Sequence, residues 1–330
     1  LAAYSMFKKW LGLTLKVSVS GALIWFVLSK IDLSSAKDRA LDVAPEMLLF
    51  ATMLFLVQAV IAGARWKVVL SAIGAPLPFI DSFKIYYIGL FFNQTLPSSV
   101  GGDAVRMYIA KRAGVPLGAS INSVLLERGA LVIALVLIVT AMQPYFMTRV
   151  PDDQEGLILT SVAVLFVLMV VGLIVLMNLD RLPSRYSHWR VVRGLAMLAS
   201  DSRLVFLSPQ WASKILAWSL VGHVNVTLSI YILALGLKLD VSMLDCLALF
   251  PPVMLATTLP ISIAGWGVRE GAMVAAFGLI GVSQEGAVVL SLLAGILAIV
   301  ASLPGGIIWL MSGYRRKDIE TETAAVEADS

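Results

Sequence analysis

The sequence predicts an all-α membrane protein: six transmembrane helices plus two re-entrant helical hairpins arranged as an inverted repeat. Three observations predict it. Hydrophobic residues make up 59% of the 330-residue chain and charged residues only 14%, against about 25% charged in soluble domains. Several nearly uncharged windows reach the roughly 20 residues needed to cross about 30 Å of hydrocarbon. A segment that mixes helix breakers with an arginine occurs twice, half a chain apart. A β-barrel would instead show short alternating segments.

Six spans follow from the apolar windows, at about 10–29, 47–70, 119–142, 157–178, 209–236 and 286–312. The first follows Lys8 and Lys9 and lacks a small-residue cleavage site near Ser29, so it is expected to remain as an uncleaved span. The opening at Leu1 is expected to reflect a trimmed start. Two more apolar stretches are broken. Phe79 to Arg112 is interrupted at Pro97 to Gly102, and Met243 to Ile280 at Pro260 to Gly267. Each half is too short to cross the membrane alone. Each stretch is therefore expected to form two half-helices joined by a turn near mid-membrane, tolerated where protein or a wet cavity satisfies its backbone.

The breaks carry the repeat. Thr95–Arg106 reads T-L-P-S-S-V-G-G-D-A-V-R and Thr258–Arg269 reads T-L-P-I-S-I-A-G-W-G-V-R. Thr95/Thr258, Leu96/Leu259, Pro97/Pro260, Ser99/Ser262, Gly102/Gly265, Val105/Val268 and Arg106/Arg269 are identical without a gap. Ordinary composition gives about one such match. A shorter echo follows each copy, at Gly114–Ala119 and Gly281–Ala287.

Charge sets the orientation. With the N-terminus in the cytoplasm, the outer side collects only Lys30, Lys37, Arg39, Arg149, Lys238 and Arg269 of the 25 Lys and Arg. Arg128 falls within a span and the rest fall inside, so both termini are expected in the cytoplasm. An odd number of crossings then separates the two hairpins, which enter from opposite faces. The repeat units are about 47–142 and 209–312, inside one integral membrane domain, 1–317. Inverted repeats with broken helices are a transporter architecture whose site lies at the repeat interface. The segment at about 180–207 reads either as an amphipathic helix on the cytoplasmic surface, with Trp189, Val192, Leu195, Ala196 and Ala199 on one face, or as a basic loop. The acidic tail 318–330 is expected to be disordered.

The candidate site gathers around the breaks. Pro97, Gly101, Gly102, Pro260, Gly265 and Gly267 are expected to shape the turns. Asp103 is expected to cap the helix that follows the first break. The free N–H groups and dipole of such a helix favour an anion. Arg106 and Arg269 sit at these helix starts, where the dipole disfavours a cation. A bound phosphate would offset both, and a guanidinium holds phosphate in bidentate fashion. Asp103, Glu127, Arg128, Glu270, Asn93, Gln94, Ser99 and Ser262 complete the substrate-binding set. The alternative is internal pairing, of Arg106 with Asp103 or Glu127 and of Arg269 with Glu270. His223 and Asn225 are expected to join helices, and Asp81 and Asp245 to cap them. With one cysteine, Cys246, and two histidines, no metal site and no cofactor are expected. No H-E-x-x-H, G-x-S-x-G or P-loop is present, so no enzymatic nucleophile is nominated.

Phe91–Arg106, Leu125–Gly129 and Thr258–Gly271 together resemble the lysylphosphatidylglycerol synthase transmembrane-domain family of flippase-like integral membrane proteins. The resemblance implies a bacterial or archaeal inner-membrane protein that moves lipid between leaflets. In some members this domain is fused to a synthase. Here the chain is expected to stand alone, working on lipid supplied by a separate lipid-synthesis enzyme. The expected activity is flippase- or scramblase-type transport of a phosphate-bearing lipid, with membrane lipids rather than nucleic acid as partners. The alternatives are an integral-membrane transferase on a lipid-linked substrate and a carrier of small molecules or ions.

Overall fold

The computed structural model describes residues 42–96, 101–149, 152–181, 190–258 and 265–312. The expected span at 10–29, the tail 318–330, and Pro97, Ser99, Pro260 and Ser262 lie outside the described residues. The chain is an all-α membrane protein, and no strand occurs among the described residues. The helices are α1 (Pro45–Ala72), α2 (Phe79–Thr95), α3 (Gly101–Arg112), α4 (Leu117–Met147), α5 (Asp152–Met177), α6 (Arg190–Leu207), α7 (Pro209–Gly236), α8 (Met243–Thr258), α9 (Val268–Gly278) and α10 (Gln284–Met311). Five of them, α1, α4, α5, α7 and α10, are long and apolar enough to cross a membrane. They coincide with the five spans expected after the first.

Each broken stretch forms two helices packed on one another, α2 on α3 and α8 on α9. At 1.5 Å per residue these helices span only about 17–26 Å. The starts of α8 and α9 are fixed locally. Asp245 and Ser242 form a reciprocal cap at the start of α8: the Ser242 N–H donates to the Asp245 carboxylate at 2.8 Å, and the Asp245 N–H donates to Ser242 Oγ at 3.1 Å. The expectation that Asp245 caps a helix is met. Gly265 and Gly267, at φ 81° and 85°, make the left-handed turn into α9, a conformation that a Cβ disfavours.

α1 is the spine. It packs along α7 and also meets α2, α4, α6 and α10. Lipid offers helices no hydrophobic incentive to associate, so close packing and hydrogen bonds must do it. Asn225 of α7 donates to the Leu54 carbonyl at 2.9 Å and to Gln58 Oε1 at 3.0 Å. His223 Nε2 lies 3.0 Å from the Leu131 carbonyl of α4. Both residues join helices, as expected. Small residues bring backbones close: a Cβ added to Gly305 of α10 would fall on the Tyr87 carbonyl of α2. Beside it the Tyr87 hydroxyl donates to the Ala301 carbonyl at 2.7 Å.

Of segment 180–207, residues Arg190–Leu207 form the helix α6. Leu198, Ala199, Ser202 and Val205 face inward against Val69, Leu126, Ala130 and Ile215. Arg203 reaches across to the end of α5. It donates to the Met177 carbonyl at 2.5 Å and to Asp180 at 2.6 Å. That hydrogen bond holds the Asp180 carboxyl below its ordinary pKa. α5 differs from every other span, because no residue from Glu155 to Met177 is buried.

Replacing Gly305 with Leu should therefore separate α2 from α10 and cost about 1–3 kcal/mol of unfolding free energy, the range for overpacking. Gly194→Ala, on the open face of α6 where an added Cβ meets nothing, should instead stabilise by up to about 1 kcal/mol. Thermal unfolding in detergent reads both.

Candidate functional site

The site is assembled by α1, α2, α3 and α4 around one carboxylate. Glu127 of α4 is 1% exposed and lies between two arginines. Its Oε1 accepts from Arg65 Nε at 3.1 Å and Nη2 at 2.8 Å. Its Oε2 accepts from Arg106 Nη1 at 2.5 Å. Arg106 also donates to Asp103 Oδ1 at 3.3 Å, one turn back on α3. Its guanidinium stacks over Tyr86 at 4.5 Å and Trp66 at 5.0 Å, which adds cation–π attraction in a buried setting. Tyr86 accepts from Arg65 Nη2 at 3.2 Å.

The break positions this network. Gly101 and Gly102 are the first residues of α3, and a Cβ on Gly102 would collide with the Gly89 carbonyl and Asn93 of α2. Asn93 Oδ1 accepts from the Gly102 N–H at 3.0 Å, so it fixes the start of α3. Asp103 is the third residue of α3, and its carboxylate serves arginines: Oδ2 takes Arg128 Nε at 2.7 Å and Nη2 at 2.6 Å. Arg106 falls in the second turn rather than the first.

A cavity of about 200 Å³ opens beside the network, lined by Tyr86, Gly89, Leu90, Asn93, Asp103, Arg106, Glu127, Arg128 and Leu131. Asn93, Asp103, Arg106, Glu127 and Arg128 are thus brought together as expected. Gln94 is half-buried and outside this wall. Arg65, Tyr86 and Trp66 were not expected. Arg65 reads in sequence as a basic residue at the cytoplasmic end of a span, yet it is 1% exposed. The signal that could have found it is Glu127, since an intramembrane carboxylate demands a cation.

The second break builds a different arrangement. Arg269 donates to Glu270 Oε1 through Nη2 at 2.9 Å and to Ser291 Oγ of α10 through Nε at 3.0 Å. Ser291 donates in turn to Glu270 Oε1 at 2.9 Å. Glu270 Oε2 accepts from the Gly267 N–H at 2.5 Å and so closes the start of α9. The Arg269 guanidinium lies over Trp266 at 4.8 Å. A cavity of about 140 Å³ adjoins it, lined by Arg269, Ser291 and Thr257 among apolar side chains that include Phe55.

The two arginines do not meet. Among the described residues their cavities share no lining residue. Phe55 and Arg65, ten positions apart on α1, place the two polar clusters about 15 Å apart along that helix. Arg65 of α1 and Ser291 of α10 draw the two clusters onto different neighbours. Internal pairing of both arginines, the alternative reading, is what the geometry contains.

An apolar groove of about 570 Å³ runs between α4 and α5, lined by Gly129, Val132, Val136, Leu168, Leu173 and others. Arg128 and Leu131 line both this groove and the polar cavity. With these motifs in place, the profile of the lysylphosphatidylglycerol synthase TM region matches residues 13–305. The chain belongs to this family. It is also similar to a UPF0104 membrane protein of Methanocaldococcus jannaschii, 22% identical over 298 residues, covering 85% of this chain and 88% of that protein. The matched region takes in both breaks, all five arginines and carboxylates of the first cluster, and the Arg269–Glu270 pair.

Removing one member of a buried ion network strands its partners and costs about 3–5 kcal/mol. Glu127→Gln, which leaves Arg65 and Arg106 facing each other, should lower unfolding free energy by that amount. Arg128→Gln, on the same network but with a side chain 48% exposed, should cost under about 1 kcal/mol. Paired thermal or denaturant unfolding of the two variants checks the contrast.

Proposed function

We propose that the chain moves a phosphate-bearing lipid between the leaflets of the membrane. The observation that carries this reading is the shared wall: Arg128 and Leu131 border both a polar cavity lined by arginines and an apolar groove of about 570 Å³. A lipid is the ligand class with a phosphate joined to hydrocarbon. The groove is bounded by α5, none of whose side chains from Glu155 to Met177 is buried, so chains enter sideways from the bilayer. A carrier of small molecules needs no such groove. The family, named for the membrane region of a lipid synthase, supports the same substrate class.

In this reading α2–α3 and α8–α9 are re-entrant hairpins. With α4, α5 and α7 between them, they enter from opposite faces and form an inverted repeat. The clusters of Arg106 and Arg269 then serve opposite leaflets, about 15 Å apart along α1. The headgroup passes between them while its chains remain in lipid, with no covalent step. The protein sits in a bacterial or archaeal inner membrane with both termini in the cytoplasm, and a lipid-synthesis enzyme supplies its substrate.

Two measurements test this. Proteoliposomes should move labelled glycerophospholipid to the opposite leaflet severalfold faster than protein-free vesicles, and equal rates for every phospholipid tried would end the proposal. Ala113→Cys, just after α3, and Gln284→Cys, at the start of α10, should react with a membrane-impermeant thiol reagent from opposite sides. Cys246 is buried and gives a low background. Labelling of both positions from one side would remove the inverted repeat.

A further inference from the structure

The five charged groups of the first cluster are not equivalent. Arg65, Arg106 and Glu127 are buried to 3% exposure or less and hold one another with short bonds. Arg128 is different. Its side chain is 48% exposed, it stands at the junction of cavity and groove, and both its described hydrogen-bonding and ion-pair contacts fall on a single oxygen, Asp103 Oδ2. Three guanidinia face two carboxylates, so the network carries one uncompensated positive charge. Two buried donors of the cluster also lack a partner, Arg65 Nη1 and Arg106 Nε, and of the two residues Arg106 lines the cavity. An unbalanced charge at this depth is costly, and a singly charged anion with several acceptor oxygens would offset it and accept from Arg106 Nε.

We propose that Arg128 is the residue that captures the substrate phosphate, and that Asp103 is a built-in competitor occupying Arg128 until a phosphodiester displaces it. The assignment rests on the lipid reading above and specifies its headgroup chemistry: one phosphodiester, carrying one negative charge. In the exchange, Arg128 leaves Asp103 Oδ2 and takes two phosphate oxygens through its guanidinium fork. Arg106 Nε donates to the same phosphate. Asp103 keeps Arg106 Nη2 through Oδ1, so the anchored part of the network is not dismantled. Leu131 and the groove beyond it receive the first methylenes of the chains. The start of α3 favours negative charge, so it helps to hold both Asp103 and the incoming phosphate.

A competitor makes a distinctive prediction, because removing an acidic residue from the site should strengthen binding. The full-length protein in detergent is titrated with short-chain phosphatidylglycerol, with the matching phosphate-free diacylglycerol, and with inorganic phosphate. Bound ligand is read by native mass spectrometry. Asp103→Asn should bind the phosphodiester lipid about tenfold more tightly than wild type, equivalent to about 1.4 kcal/mol. Arg128→Gln should bind it about tenfold more weakly. Arg128→Lys should fall between wild type and Arg128→Gln, since it keeps the charge and loses the fork. Diacylglycerol should bind all four proteins alike.

Wild-type affinity in Arg128→Gln overturns the proposal, as does weaker binding by an Asp103→Asn protein whose thermal unfolding matches wild type. Should Asp103→Asn not fold, the Arg128 pair decides alone, its half-exposed site being tolerant of change. Inorganic phosphate competing at the concentration of the lipid would make this a free-anion site and overturn the lipid assignment. Arg128→Gln that binds and flips lipid at the wild-type level sinks this inference and leaves the transport reading standing. Graded binding without any wild-type translocation does the reverse.

Discussion

Glu127 is the constraint on which the rest depends. One carboxylate on α4 accepts from Arg65 on α1 and Arg106 on α3, and it ties three helices together in a buried setting. A lone carboxylate or guanidinium there would cost several kcal/mol. Each group is therefore admissible only because the others are present. The glycines at the start of α3 follow from this need. Arg106 reaches Glu127 because Gly102 lets α3 begin against the backbone of α2. Gly222 of α7 plays a similar part for Arg65, since a Cβ there would crowd its guanidinium and Gln58.

The framework was legible in the sequence to a large degree, for a physical reason. Hydrocarbon allows few solutions, so an apolar run of sufficient length is a helix, and α1, α4, α5, α7 and α10 lie where the runs predict them. The breaks were legible too, because proline and glycine inside an apolar run leave backbone groups that must be satisfied elsewhere. The paired arginines then marked where a polar cluster forms. Glu127, Arg128 and Asp103 were recognisable as candidates because charge in such a setting is rarely incidental.

Partnership was harder to read than candidacy. Nothing local distinguishes Arg65 from a residue at a helix end, since its position on the face toward Glu127 follows from how α1 crosses α4. Ser291, on α10, enters the Arg269 cluster only through tertiary packing. The ion pairing of Asp103 was hidden for a related reason: as the third residue of α3 it reads as a helix-start residue, and its carboxylate is claimed by Arg106 and Arg128. Repetition in sequence also promised more symmetry than the fold delivers. Arg106 is held by carboxylates from its own helix and from α4, whereas Arg269 is held by its immediate neighbour and a hydroxyl.

The way α5 is attached has a mechanical consequence. Arg203 grips its C-terminal end through the Met177 carbonyl and Asp180, while no side chain from Glu155 to Met177 is buried. A rod gripped at one end and packed along only one half-buried face yields more easily than a helix buried in the bundle. Its stiffness comes largely from the grip, and the stretch farthest from it responds most to sideways pressure from the surrounding chains. The width of the gap beside α4 is then set jointly by the protein and by the order of the bilayer around it.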